Sequence, residues 1–327
     1  MSTNSLVRVA VVQAAPVVMD RQATVEKACD LIGEAAAQGA RVVLFPEALI
    51  PAYPWGLRFG TVVGGRTLPG RRTWARYWAN AVEVPGPATQ AIGRAVKKAG
   101  AYVAIGVIER DTTYSGGTLY CTLLYFAPDG TLLGKHRKLK PTAGERYIWG
   151  EGDGSTMPTF ATGLGGEGRG ILGGLICWEN YMPLARMAMY ASGVDLYLAP
   201  TADSRDTWLA TMRHVACEGR CFVLSCCQYV TKDMYPADLE VREELDGAPD
   251  VLSRGGSVIV SPLGNVIAGP LYGQEGILTA DLDLDEVMQG RFDLDVSGHY
   301  ARPDVFRLIV NQEPQPPVRF VRGERAG

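Results

Sequence analysis

The sequence predicts an α/β protein with a mixed β-sheet covered by helices. Apolar strand-like runs alternate with helix-like segments along most of the 327 residues, and a meander of short strands follows them. No long Pro-, Gly- or Ser-rich linker interrupts this order. The chain is 47% hydrophobic and 20% charged, so it can bury a full core.

The first half of the chain begins with a predicted β-α-β unit. Residues 7–13 are an apolar strand, residues 23–38 carry apolar side chains at helical spacing, and residues 42–45 are a second strand. A helix, a strand and a hairpin that turns at Pro128-Asp129-Gly130 follow, over residues 87–99, 102–108, 119–126 and 131–135.

The second half alternates again and then ends in the meander. Strands are predicted over residues 171–176, 196–199 and 222–228, and helices over residues 182–192 and 207–220. The meander occupies residues 257–261, 266–268 and 276–281, with turns at residues 262–265 and 272–274. We interpret the Gly-rich stretch 162–170 as a loose turn between two strands.

Charge and hydropathy exclude several classes of partner. The chain has 32 basic and 35 acidic side chains and a net charge of -3, which argues against a nucleic-acid or anionic-membrane surface. The N-terminus has no cationic region followed by an apolar one, and no apolar run approaches the thickness of a bilayer. We therefore expect a cytoplasmic protein with no nucleic-acid or membrane partner.

The seven cysteines are predicted to be reduced thiols. Four of them cluster, and Cys217 and Cys221 would share one helix face. Cys226 and Cys227, however, lie in a strand-like run where neighbouring side chains point to opposite faces. This geometry is poor for a zinc site, so we expect buried structural thiols and no metal.

Cys177 is the candidate nucleophile. It lies in Gly174-Leu175-Ile176-Cys177-Trp178-Glu179-Asn180, where an apolar strand is predicted to end and a helix to begin. Helix N-terminal amides near the thiol would favour the thiolate and stabilise a developing anion. The alternative is a small buried residue at the end of a core strand.

Two other stretches supply the base and the cation that a thiolate would need. Glu47 follows the apolar run Arg41-Val42-Val43-Leu44-Phe45-Pro46, whose proline ends a predicted buried strand. Lys138 lies in Gly134-Lys135-His136-Arg137-Lys138-Leu139-Lys140-Pro141-Thr142, and Glu145 comes soon after. Taken alone, this second run would be a solvated charged face.

Acid, lysine and cysteine in this chain order resemble the Glu-Lys-Cys triad of the nitrilase superfamily of carbon-nitrogen hydrolases. The resemblance covers residues 7–311, and the longer motifs are similar to those of the nitrilase branch. It implies one domain over residues 1–311, with a C-terminal tail over residues 312–327, and the four-layer α-β-β-α sandwich of the superfamily. The stretches that carry it are residues 45–48, 136–142, 145–146, 149–150, 152–155, 177–180, 182–184, 199–203 and 298–304.

The resemblance also implies roles for individual residues. Glu47 would be the general base, Lys138 the cationic stabiliser, Cys177 the nucleophile and Glu145 a second active-site carboxylate. Hydrolysis of an organic nitrile would need no cofactor and no metal. Tyr53 and Trp178 are candidate substrate-binding residues, and relatives form dimers that often assemble into larger homo-oligomers or spirals.

Three alternative functions remain open from the sequence. An amidase or carbamoylase would use the same triad on an amide carbonyl. A cyanide hydratase or dihydratase would use it on cyanide. A non-enzymatic assembly protein, in which the triad is vestigial, belongs to a different class.

Two segments have the character of insertions. Residues 51–80 interleave arginines with aromatic side chains, a composition compatible with single-stranded nucleic acid, but the position after Glu47 favours a wall of the site or a subunit contact. Residues 231–254 are acidic and contain Pro and Gly, and are predicted to be a mobile surface loop. The Gly-rich run 150–154 lacks the strand and helix of a dinucleotide site. His136, His214 and His299 are interpreted as structural.

Overall fold

A computed structural model describes residues 5–114 and 116–321. In chain order its strands are β1 (Leu6–Gln13), β2 (Val42–Leu44), β3 (Thr61–Val62), β4 (Gly65–Arg66), β5 (Tyr102–Arg110), β6 (Leu119–Phe126), β7 (Leu132–Arg137), β8 (Phe160–Ala161), β9 (Ile171–Gly174), β10 (Leu196–Thr201), β11 (Phe222–Cys227), β12 (Tyr229–Thr231), β13 (Val251–Val260), β14 (Val266–Tyr272) and β15 (Gly276–Asp283). The α-helices are α1 (Arg21–Ala37), α2 (Leu68–Ala79), α3 (Pro87–Ala99), α4 (Pro183–Ala191), α5 (Asp206–Gly219) and α6 (Asp285–Arg291).

The strands form two large mixed sheets. The first sheet has the order β15-β1-β2-β5-β6-β7, in which β1, β2 and β5 are parallel. The second sheet has the order β12-β13-β11-β10-β9-β8, with β14 paired to β13 and with β9, β10 and β11 parallel. In both sheets the parallel strands therefore occupy the middle. Polar loops gather at the carboxyl ends of these strands.

Strand alternation divides the apolar side chains among three cores. In β1, Val9 and Val11 belong to the core between the two sheets, whereas Ala10 and Val12 belong to the core beneath α1 and α3. A third core lies between the second sheet and helices α4 and α5. These three interfaces confirm the predicted four-layer α-β-β-α sandwich.

The predicted elements are confirmed, with differences at their ends and in the two inserted segments. Sequence reasoning missed α2 and α6, and the strands of the meander are longer than predicted because β13 begins at Val251. The predicted mobile surface loop is wrong for its middle part, since Tyr235, Leu239, Val241 and Leu245 are all buried. Residues 1–4 and the last six residues of the predicted tail, 322–327, lie outside the described residues.

Candidate functional site

Glu47, Lys138 and Cys177 meet between the two sheets. Glu47 lies three residues after the end of β2, Lys138 directly follows β7, and Cys177 lies three residues after the end of β9. The first two come from the first sheet and Cys177 comes from the second. All three side chains are buried, with at most 3% of the residue surface exposed.

The backbone before Glu47 lies close to β5. A Cβ atom on Gly106 would be 2.2 Å from the carbonyl oxygen of Pro46, so only glycine allows this approach. Gln228 donates its Nε2 hydrogen to the carbonyl oxygen of Glu47 at 2.7 Å. These contacts fix the direction in which the Glu47 side chain leaves the sheet.

The two carboxylate oxygens of Glu47 have different surroundings. Oε1 accepts hydrogen bonds from Lys138 Nζ at 2.7 Å and from the Cys121 thiol at 3.5 Å. Oε2 is buried and has no hydrogen-bond partner among residues 5–114 and 116–321. Burial raises the pKa of Glu47 above its usual value, and the Lys138 cation only partly offsets this. Oε2 is therefore an oxygen with an unused proton-accepting position.

Lys138 is held by two carboxylates. Its Nζ donates to Glu47 Oε1 at 2.7 Å and to Glu145 Oε2 at 2.8 Å, and its own backbone N–H donates to Cys121 O. Burial disfavours the ammonium, but the negative groups around it prevail and raise the pKa of Lys138 well above its usual value. Lys138 is therefore a permanent cation in the site.

Glu145 links this cation to Tyr53. It lies in a short 3₁₀ turn, Ala143–Tyr147, and its Oε2 also accepts the backbone N–H of Thr142 at 2.6 Å. The Tyr53 hydroxyl donates to Glu145 Oε1 at 2.7 Å. The structure thus brings Glu145 and Tyr53 to the same cluster as the three residues of the predicted triad.

Cys177 occupies a sharp turn rather than the first position of an α-helix. Its φ of +52° lies in the left-handed region, and a 3₁₀ turn, Cys177–Tyr181, separates it from α4. The Thr201 hydroxyl donates to Cys177 Sγ at 3.2 Å. Burial, followed by the charge of Glu47, raises the pKa of the thiol well above its usual value. A raised pKa favours the neutral thiol, which is consistent with the expectation that a neighbouring base helps to remove the proton.

Glu179 joins the segment of Lys138 to the segment of Cys177. Its Oε1 accepts the backbone N–H of Leu139, and its Oε2 accepts the backbone N–H of Ile176, both at 2.6 Å. The same Oε2 lies 2.8 Å from Nε2 of the fully buried His136. Burial lowers the pKa of His136, but Glu179 outweighs burial and the net shift is upward.

Several of these residues were not identified from the sequence. No local pattern marks these residues, which approach the site from four separate parts of the chain: Thr201, Cys121, Gln228 and Glu179. Thr201 and Glu179 lie inside family-like stretches, but those stretches gave them no role. His136, which was interpreted as structural, contacts Glu179 through its Nε2 atom.

The two predicted substrate-binding residues have different surroundings. Tyr53 contacts Glu145, as described above. Trp178 is 40% exposed, and its Nε1 donates to Asp203 Oδ2 at 2.9 Å. Its ring also contacts Arg205 and Tyr181. None of these described contacts joins the Trp178 ring to the cluster around Lys138.

A cavity of about 500 Å³ adjoins the cluster at Glu145 and Tyr53. Two stretches of chain line it, residues 53–61 and residues 142–148, and most of the side chains they contribute are apolar or aromatic. Its volume lies in the range of about 300–1,000 Å³ that is usual for small-molecule sites. Within residues 5–114 and 116–321, no group of three or more His, Cys, Asp or Glu side chains is arranged to hold a metal ion.

In the part of the chain that the structure describes, no helix combines the length and the apolar character that a membrane span needs.

The sequence of residues 8–292 matches the carbon-nitrogen hydrolase family. An aliphatic nitrilase of Sinorhizobium fredii is 58% identical over 94% of this chain and 96% of that protein. Nitrilase 2 of Arabidopsis thaliana is 49% identical over 98% of this chain and 93% of that protein. A bifunctional nitrilase/nitrile hydratase of Lupinus angustifolius is 50% identical over 96% of this chain and 88% of that protein.

Solved structures share the fold at lower identity. A carbon-nitrogen hydrolase from Helicobacter pylori superposes with a TM-score of 0.67 at 18% identity, covering 89% of this chain and 93% of that chain. A mutant of the Nesterenkonia amidase from the nitrilase superfamily superposes with a TM-score of 0.63 at 20% identity, covering 88% of this chain and 95% of that chain.

The solved structures show that the sandwich fold is shared, and the family match together with the nitrilase-named relatives defines the class as the nitrilase superfamily. The chain belongs to the carbon-nitrogen hydrolase family, and within the superfamily to its nitrilase branch.

Proposed function

We propose that the protein hydrolyses an organic nitrile to the carboxylic acid and ammonia through a covalent cysteine intermediate. The observation that carries this proposal is the buried cluster of Glu47, Lys138, Glu145 and Cys177 in a chain whose relatives at 49% to 58% identity are named nitrilases. A nitrile carbon is a modest electrophile and its nitrogen must gain protons, so the site needs a strong nucleophile and proton carriers.

The first step is addition of the thiol to the nitrile. Glu47 Oε2, the oxygen without a described partner, takes the proton from Cys177 Sγ. The sulfur then attacks the nitrile carbon, and the π electrons move to the nitrogen, where the Lys138 cation stabilises the developing negative charge. The nitrogen takes the proton back from Glu47, which leaves a thioimidate. The backbone N–H of Trp178, the residue that follows the nucleophile in the chain, stabilises the same charge in this proposal.

The second step replaces nitrogen by oxygen. Glu47 removes a proton from water, and the hydroxide adds to the thioimidate carbon to give a tetrahedral intermediate. Glu47 passes this proton to the nitrogen and then transfers the proton of the new hydroxyl group to it as well, so that ammonia leaves, the C=O bond forms and a thioester remains. A second water, activated in the same way, releases the acid and restores the thiol, so one nitrile and two waters give one acid and one ammonia. Glu145 positions Lys138. Its Oε2 accepts a hydrogen bond from Lys138 Nζ at 2.8 Å.

Release of some amide in addition to the acid is the second candidate outcome of the reaction at this site. If the tetrahedral intermediate expels the thiol before ammonia, the product is an amide. One relative, from Lupinus angustifolius, is named a bifunctional nitrilase/nitrile hydratase. This name favours the release of some amide by the present protein as well. The ratio of acid to amide then depends on which leaving group is protonated first.

The test is ammonia release from wild type and Cys177→Ala over a panel of aliphatic, aromatic and arylacetonitriles, the matching amides and cyanide. We expect turnover of nitriles by the wild type and a loss of at least about a thousandfold in the variant. Release from amides alone would move the protein to amide hydrolysis, and release of formamide or formate from cyanide would identify a cyanide hydratase or dihydratase.

The cellular location and the assembly state remain part of the proposal. We propose a cytoplasmic homodimer that assembles into larger homo-oligomers or spirals. Light scattering of the purified protein measures the assembly directly, and a monomer would contradict it.

A further inference from the structure

The cavity beside Glu145 has one wall that is built from a loop with an unusual backbone. Residues 53–61 form this wall, and Phe59 and Gly60 both lie in the left-handed region, with φ values of +53° and +62°. A residue with a Cβ atom, such as Phe59, adopts this conformation only when its surroundings impose it. Something outside the loop must therefore hold it.

Glu244 supplies this restraint from the distant segment 232–250. Its Oε2 accepts the backbone N–H groups of Arg58 and Phe59 at 2.6 and 3.2 Å, and its Oε1 accepts the backbone N–H of Gly60 at 2.7 Å. The Glu244 side chain is only 6% exposed, so water does not compete strongly for these donors. Three successive N–H groups that converge on one carboxylate form an anion-binding concavity in the backbone.

The same segment supports the wall at two further points. A Cβ atom on Gly56 would lie 2.7 Å from Leu245 Cδ2, so the loop and the segment are in close contact there. The Tyr235 hydroxyl donates to the carbonyl oxygen of Tyr53 at 3.3 Å, and Tyr53 in turn donates to Glu145. Segment 232–250 is therefore connected to the reaction centre through the wall.

The lining of the cavity indicates the kind of group it receives. Tyr53, Trp55, Leu57, Tyr147 and Ile148 contribute apolar and aromatic surface. The two charged side chains that line it already have partners, since Glu145 contacts Lys138 and Arg58 lies 3.8 Å from Glu244. An uncharged apolar substituent, aryl or alkyl, matches this lining.

We infer that Glu244 is a specificity-determining residue, because its carboxylate fixes the wall of the cavity that receives the organic substituent of the nitrile. This inference rests on the proposed function for the identity of the substrate. Glu244 touches neither the reacting atoms nor the cluster around Lys138, so it acts through residues 53–61 and is a positioning residue.

The test compares Glu244→Ala and Glu244→Gln with the matched control Glu243→Gln. Glu243 is an exposed neighbour whose side chain has no described contact. We expect Glu244→Ala to raise KM for phenylacetonitrile by about tenfold while kcat for the smallest nitrile that the wild type accepts changes by less than about twofold. Glu244→Gln should be intermediate, because its single amide oxygen still accepts some of the three donors.

A second measurement separates the restraint that Glu244 places on residues 53–61 from the chemical steps of the reaction. Hydrogen exchange of residues 53–61 should be faster in Glu244→Ala and unchanged in Glu243→Gln. Equal losses on small and large nitriles, or a KM that does not move although residues 53–61 exchange faster, would overturn the inference. If the wild type turned over no nitrile, the proposed function would fail separately. In that case, protection of residues 53–61 by phenylacetonitrile in Cys177→Ala would still support the cavity, and its absence would reject it.

Discussion

Two buried carboxylates outside the proposed triad, Glu179 and Glu244, hold different regions in the same way. Each accepts backbone N–H groups, Glu179 in the reaction centre and Glu244 in the cavity wall. Their sequence distances differ greatly. Glu179 bonds to Ile176 and Leu139, 3 and 40 residues away, whereas Glu244 bonds to residues 184 to 186 positions away.

From this difference we expect Glu179 to affect the rate with every substrate and Glu244 to affect which substrates are preferred. Glu179 connects the backbone next to Lys138 with the backbone next to Cys177, so its loss displaces groups that every substrate uses. Glu244 restrains only residues 53–61, which contact the substituent of the substrate. Variants of the two residues should therefore give different kinetic patterns, and the following experiments test this.

Among the variants that test this comparison, Glu179→Gln should have the largest effect. Glutamine offers one acceptor oxygen where the carboxylate serves Leu139, Ile176 and His136, and an unpaired buried N–H costs about 1–3 kcal/mol. We expect kcat to fall by roughly 10- to 100-fold on every nitrile, with the ratio between large and small nitriles unchanged. Steady-state kinetics over the whole series measures both quantities.

Asp195→Asn is the control for Glu179→Gln. Asp195 is also a buried carboxylate that accepts a backbone N–H, from Ile171, but it lies at the opposite ends of β9 and β10. Its variant is expected to lower the melting temperature without the loss in kcat. A Glu179→Gln protein that melted normally and kept full kcat would contradict the positioning role.

A smaller effect is expected in the acid limb of the pH profile. Glu47 must be ionised to accept a proton, and burial raises its pKa above the usual 4.5. The rate should therefore fall as pH decreases through an apparent pKa that lies above 4.5 and belongs to the coupled cluster with Lys138 and Glu145. A profile of kcat/KM with its acid midpoint at or below 4.5 would show that the carboxylate is not destabilised in this way.

Substitution of Cys121 should shift the acid limb of the pH profile. Its thiol donates to Glu47 Oε1, and a hydrogen bond to the charged form lowers the pKa of a carboxyl group. Cys121→Ala should shift the acid midpoint upward by less than about one unit, and Cys121→Ser should restore it. Cys221→Ala, which removes another buried thiol in the outer core, should leave the midpoint unchanged.

The smallest effect is expected for Arg76→Ala. Arg76 of α2 pairs at 3.1 Å with Asp238 of segment 232–250, the segment that also contains Glu244, but the two side chains are 36% and 77% exposed. Exposed pairs contribute about 0–1 kcal/mol. We expect the melting temperature and the ratio between large and small nitriles to stay close to those of the wild type. A change as large as that of Glu244→Ala would mean that the surface charges, not the buried carboxylate, hold the wall.

Much of the fold was predictable because its signals are local. The apolar run of β1 and the helical spacing in α1 are visible within single segments, and both elements are confirmed. Helix α2 was missed because its glycine and aromatic residues weaken the helical signal. The packing of segment 232–250 was misjudged because its four buried apolar residues are scattered among charged ones, and the local sequence does not show that three of them join the core between the sheets.

The sequence by itself determined the family, the sandwich and the chain positions of Glu47, Lys138, Glu145 and Cys177, because short motifs and strand periodicity are properties of neighbouring residues. Only the tertiary structure decided that burial raises the pKa of Cys177, that Glu47 Oε2 has no hydrogen-bond partner among the described residues, and that Glu244 holds the cavity wall. Burial, unpaired oxygens and contacts across more than 180 residues depend on how separate strands and loops meet, and no local pattern encodes that.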